Sequence, residues 1–141
     1  MAKPWTSPYY EGRSPWTSES CLNGQKLATE IAHWIEKHPV EFNGLFRIVK
    51  DMQKLHIKGC VRDRVRVEAM VRGIEVESDD AKFAHAYWAG ISRYMVMLDP
   101  SLKGNPIEFK RSDIDNYGLV PIDIACEYGH QTYSLEKARE Q

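Results

Sequence analysis

The stretch PVEFNGLFRIVKDMQKLHIKG, Pro39 to Gly59, sets Phe42, Leu45, Phe46, Val49, Met52 and Leu55 at helical spacing along one face. An apolar stripe of that period predicts an amphipathic helix whose stripe faces a core. Pro39 suits its first turn and Gly59 its stop, since proline has no N–H to lose there and glycine accepts the left-handed conformation past a helix end. Upstream, Leu27, Ile31, Trp34 and Ile35 predict a preceding helix over Leu22 to Lys37, ended at His38-Pro39 because the residue before proline is pushed out of the α region.

Downstream, the turn KGCV (Lys58 to Val61) leads into a short third helix over Arg62 to Arg72. Asp63 is its expected N-cap, Gly73 its stop, and Val67, Met70, Val71 and Ile74 its inward set, with the arginines outward. The alternation IEVES (Ile74 to Ser78) predicts a short strand, pairing with PIEFK (Pro106 to Lys110). After Asp79-Asp80 a fourth helix carries Ala84, Tyr87, Trp88, Ile91, Tyr94, Met95 and Leu98 and ends at Asp99-Pro100. The expected core is Leu27, Ile31, Leu45, Phe46, Val49, Met52, Val67, Val71, Trp88, Ile91, Met95 and Leu98. The fold class is therefore mainly α: a compact helical domain of four to six helices with a helix-turn-helix-like pair and at most a small two-stranded β element. Its parts are an aromatic, Pro-rich N-terminal arm (1–20), a helical core domain (21–112) and C-terminal short helices packed on the core (113–141).

The 141 residues, 43% hydrophobic and 28% charged, suit one globular domain that needs neither metal nor disulfide. No apolar run is long enough for a membrane span and no signal-peptide pattern starts the chain, so a cytoplasmic location is expected. Cys21, Cys60 and Cys126 have no CxxC spacing and read as buried thiols. His33, His38, His56, His85 and His130 lack metal-ligand spacing, and Cys126 with His130 has no orienting third group. Helix starts and turns explain the pairs Asp79-Asp80 and Asp113/Asp115, and no phosphate-cradling glycine loop is present. The expectation is a protein that is not an enzyme and takes no cofactor or metal.

Charge is uneven. Arg47 to Arg72 holds eight basic residues against three acidic ones, a local +5 that leaves −6 for the remainder of a chain whose net charge is −1. Two helices joined by KGCV are the layout of a helix-turn-helix, with Arg62, Arg64 and Arg66 about the start of the second helix, where base edges would be met, Lys54 and Lys58 available to phosphates, and Arg72 a further residue of the expected nucleic-acid-binding set. The alternative is a solvated helix face in an unrelated bundle. The tail DNYGLVPIDIACEYGH (Asp115 to His130) resembles the first half of an ankyrin repeat, without a second copy, and implies a turn, a short helix from Pro121 to Tyr128 and another after Gly129.

Residues 38–111 resemble a group of small, functionally uncharacterised proteins encoded by phages and prophages. The matching letters are His38-Pro39, Leu45-Phe46, Val71-Arg72, Arg93, Asp99-Pro100, Phe109 and Arg111. Those proteins usually have Ser-Ala-Arg at Asp63-Arg64-Val65 and an aromatic at Gly73. The resemblance implies a phage-type protein. The expected role is a small DNA-binding regulator using the basic helix; the alternatives are a protein-binding factor that inhibits or redirects a host protein or defence complex, and a minor structural component. In the arm, Pro4-Trp5-Thr6-Ser7 recurs as Pro15-Trp16-Thr17-Ser18. Trp5, Tyr9 and Tyr10 could clasp a partner. Folding back onto the helices is the favoured alternative, because free aromatics invite aggregation, with Trp16 the residue expected to be buried.

Overall fold

A computed structural model describes residues 19–75 and 85–122. Among them five helices run in the order α1 (Glu19–Lys37), α2 (Pro39–Lys54), α3 (Val61–Val71), α4 (His85–Leu98) and α5 (Ile114–Tyr117), with a 3-10 turn at Pro100–Leu102. The mainly helical class is confirmed. No sheet forms among the described residues; Lys103 and Ile107 meet at an isolated bridge. The expected strand PIEFK is instead an irregular strap, in which the backbone of Ile107 bonds to Leu102 and Gly104 and its side chain is buried. Ile74 and Glu75 lie outside any strand, and Val76 to Ser78 lie outside the described residues. So do the N-terminal aromatics, Trp16 included, Cys126, and all but the first two residues of the helix expected over Pro121 to Tyr128.

His38 makes the corner between α1 and α2. Its N–H donates to Trp34 O at 2.8 Å, its ring stacks on Trp34, and its own carbonyl accepts from Phe42. On α2 the expected stripe is buried from Phe42 through Met52, joined by Ile48. The stripe stops short of Leu55, which is exposed, because α2 ends at Lys54, five residues before Gly59. Ile57 N–H reaches Met52 O and His56 N–H reaches Gln53 O, with His56 at φ 55°: the left-handed position that glycine usually fills is taken here by a histidine.

Burial surrounds α4. Ile91 through Val96 and Leu98 are all buried, and a helix covered on every side is a central one. Trp88, expected in the core, is half-buried against it. Two glycines permit the close contacts of α1. A Cβ at Gly90 would overlap the Ile31 side chain, and one at Gly24 would overlap the backbone of Asp113.

The residues after α4 are tied back by charge. Arg93 and Asp115, each 1% exposed, pair with Nε to Oδ1 at 2.6 Å and Nη2 to Oδ2 at 2.8 Å. The same guanidinium donates to Ala89 O and Lys110 O and lies over the Phe109 ring, and Asp115 also accepts Ser112 N–H. Replacing Arg93 with Met would leave Asp115 buried without its cation, and this is expected to cost about 3 to 5 kcal/mol in chemical denaturation. Arg93→Met with Asp115→Leu should cost less than the single change.

A second tie sits at the end of α4. The fully buried Asp99 accepts from Lys50 Nζ at 2.6 Å and from Ser101 Oγ at 2.6 Å. Burial pushes its carboxyl up, but the hydrogen bonds from Lys50 and Ser101, helped by the Lys50 charge, outweigh it and keep the group below its ordinary value. Such a carboxyl binds fewer protons folded than unfolded, so its contribution is complete above the unfolded value of about 4 and is lost as the pH falls through the folded value. Asp99→Asn should therefore lower stability near neutral pH by about 1 to 3 kcal/mol. Urea midpoints at neutral pH and below about pH 4 should lie closer together in the variant than in the native chain.

Candidate interaction surface

The sequence of α3 contains two apolar lines, and only one can face inward. Val61, Val65 and Ala69 recur every fourth residue; Val67, Met70 and Val71 form the other line. The structure buries Val65 and Ala69 and leaves Val67, Met70 and Val71 exposed, which reverses the expected inward set and removes Val67 and Val71 from the core. Two local features set the phase. The helix begins at Val61, with Cys60 as N-cap at φ 51°, so Asp63 sits inside the first turn rather than capping it. At the other end Ile74 N–H bonds to Ala69 O and Gly73 N–H to Met70 O, with Gly73 at φ 74°, and Ile74 packs on Gly44 of α2. Small side chains at Val65 and Ala69 suit close packing, and the larger line is left outside.

At 100° per residue, with Val65 and Ala69 inward, Val67 stands at the outward pole of α3, flanked by Asp63, Met70, Val71 and Arg64. Arg62 and Arg66 lie on one flank and Arg64 on the other. Arg62 is largely covered and pairs with Asp63 at 2.9 Å, and Arg64 folds its Nε back onto Gly59 O. Arg66, Lys54 and Lys58 are exposed. Arg72 bridges the two helices, 3.0 Å from Asp51 on α2 and 2.9 Å from Glu68 on α3. The bond to Glu68, against some loss of hydration and with help from Asp51, raises its already high pKa. Trp5, Tyr9 and Tyr10 lie outside the described residues.

Between α2 and α3 runs a groove of about 500 Å³. Ile48, Met52, Leu55, Ile57 and Val67 make its floor, and Asp51, Asp63, Arg64, Glu68 and Arg72 its rim. Two of these lining residues stand open, Leu55 at 70% and Val67 at 59% exposure, as do Met70 at 67% and Val71 at 74% farther along α3. A second cleft, about 590 Å³, lies between the start of α3, Trp88 and the strap Pro106 to Ser112, but its Arg62, Trp88, Arg93, Phe109 and Arg111 are all engaged in other interactions. Cys21 is buried, and burial pushes its thiol up; Cys60, expected buried, is exposed at the α3 N-cap. Among the described residues no helix is long and apolar enough to cross a membrane, and no group of side chains is arranged to hold a metal ion.

The open face escaped the sequence reading because periodicity finds apolar lines without ranking them. The spacing Val61, Val65, Ala69 was the available signal. Comparison with protein families, curated proteins and solved structures finds no match.

The orientation of α3 is tested by a pair of truncations. Val65→Ala should cost about 1.5 to 3 kcal/mol as a buried loss. Val67→Ala should change stability by no more than about 0.5 kcal/mol, both read from urea midpoints.

Proposed function

We propose that the protein is a non-enzymatic binding factor that engages another protein through the α2–α3 face. The observation that supports this reading is the groove-lining pair Leu55 and Val67, with Met70 and Val71 one turn along α3 from Val67, large apolar side chains left exposed by a domain that buries others of the same kind. Contiguous exposed apolar surface with a charged border is the mark of an interaction site. A role for a phage-type factor that occupies a host protein accords with this chemistry.

A duplex-binding regulator is the second reading, favoured by the exposed cations Lys54, Lys58, Arg64 and Arg66 near the turn. Against it, the outward pole of α3 is Val67 bordered by Asp63, and Arg64 lies across the helix from Arg62 and Arg66, so these arginines do not converge on one groove of DNA.

The triple variant Val67→Ser, Met70→Ser, Val71→Ser separates the two. It should stay folded, since surface changes are usually within about 0.5 kcal/mol each. On the protein-binding reading it loses a stoichiometric partner that the native chain captures from lysate. Steeply salt-dependent binding to duplex DNA that survives the triple change, with no protein captured, would replace this reading with the regulator.

A further inference from the structure

Resting on the protein-binding reading, we propose that the α2–α3 groove receives an acidic amphipathic helix. Its floor is Ile48 and Met52 on α2 with Leu55 at the helix C-cap, four and then three residues apart and spanning about 10 Å. A docking helix displays anchors at i, i+3 or i+4, and i+7 over the same length, so two or three of its apolar side chains can lie between this row and Val67. Ile57 adds to the apolar lining, and Met70 and Val71 stand exposed one turn along α3 from Val67. Among the described residues there is no strand edge to which an extended peptide could add.

Charge selects the partner's sign. Each rim carboxylate already meets an arginine: Asp51 and Glu68 share Arg72, and Asp63 pairs with Arg62. Arg64 lines the groove toward the α2–α3 turn, and the exposed Lys54 and Lys58 are the chain neighbours of its lining residues Leu55 and Ile57, within a segment of local charge +5. Carboxylates flanking the anchors of the incoming helix would fall against these three cations, and the positive field would speed their approach. A second copy of the chain fits less well, because both copies would bring a segment of local charge +5 to the same interface. Duplex DNA supplies the charge but nothing apolar to fill the floor.

Two labelled synthetic helical peptides with the same Leu and Phe anchors test this, one flanked by Glu and one by Lys, titrated with the full chain by fluorescence anisotropy. The Glu peptide should bind saturably and at least about tenfold tighter than the Lys peptide, with an affinity that falls as salt rises. Lys54→Glu with Lys58→Glu and Arg64→Glu should reverse that preference, and the triple serine variant should bind neither peptide while keeping the native melting profile. Equal or tighter binding of the Lys peptide overturns the acidic partner and leaves the protein-binding reading standing. Absence of saturable binding by either peptide overturns the helix itself. In that case, a concentration-dependent dimer in sedimentation, abolished by the serine changes, assigns the face to a second copy. Salt-sensitive duplex binding without any dimer defeats the protein-binding reading as well.

Discussion

A guanidinium removed from water needs acceptors for its five N–H groups, and Arg93 finds at least four of these bonds in the carboxylate of Asp115 and the carbonyls of Ala89 and Lys110. Few side chains can reach three separate backbone regions at once. The pair fixes the strap after α4 against the middle of that helix, and through Asp115 it positions α5 beside α1, where Gly24 leaves room for the Asp113 backbone. Leu119 and Ile122 are buried downstream, and Tyr94 donates its hydroxyl to Val120 O. Without the pair, the central helix would present a bare charge to its own covering layer.

The other half of the molecule is organised by helix ends. α2 and α3 both terminate in the same hydrogen-bond pattern, one around His56 and one around Gly73, and each ending turns the chain back toward the α2–α3 contact. Arg72 then bridges Asp51 and Glu68 across the joint. A short helix held at both ends has little freedom to rotate, so the side chains it leaves in water are set by the joint rather than by their own hydrophobicity. That is how an apolar row can remain on the surface of a domain with a well-filled core.

Much of the helical layout was legible in the chain. The stripe from Phe42 to Met52, the corner at His38-Pro39, the Gly73 ending and the break at Asp99-Pro100 all follow from local chemistry: period, missing donors and the left-handed tolerance of glycine. Less of the candidate surface was legible. The basic residues between Arg47 and Arg72 could be counted, but whether arginines two apart share a face depends on which side of α3 is buried. Arg93 and Asp115 are 22 residues apart and belong to separate segments, so no local pattern joins them.

By itself the sequence determined which stretches become helices and roughly where they end, because those outcomes depend on neighbours within a few residues. The tertiary structure alone decided three things: that α2 stops at a histidine before its glycine, that α3 buries Val65 and Ala69 instead of Val67 and Val71, and that a strap replaces the expected strand. In each case the local sequence allowed two solutions. Packing against a distant segment chose between them, because close contact with α2 favours the smaller side chains of α3 and the buried charge of Arg93 draws the strap's carbonyl away from strand pairing.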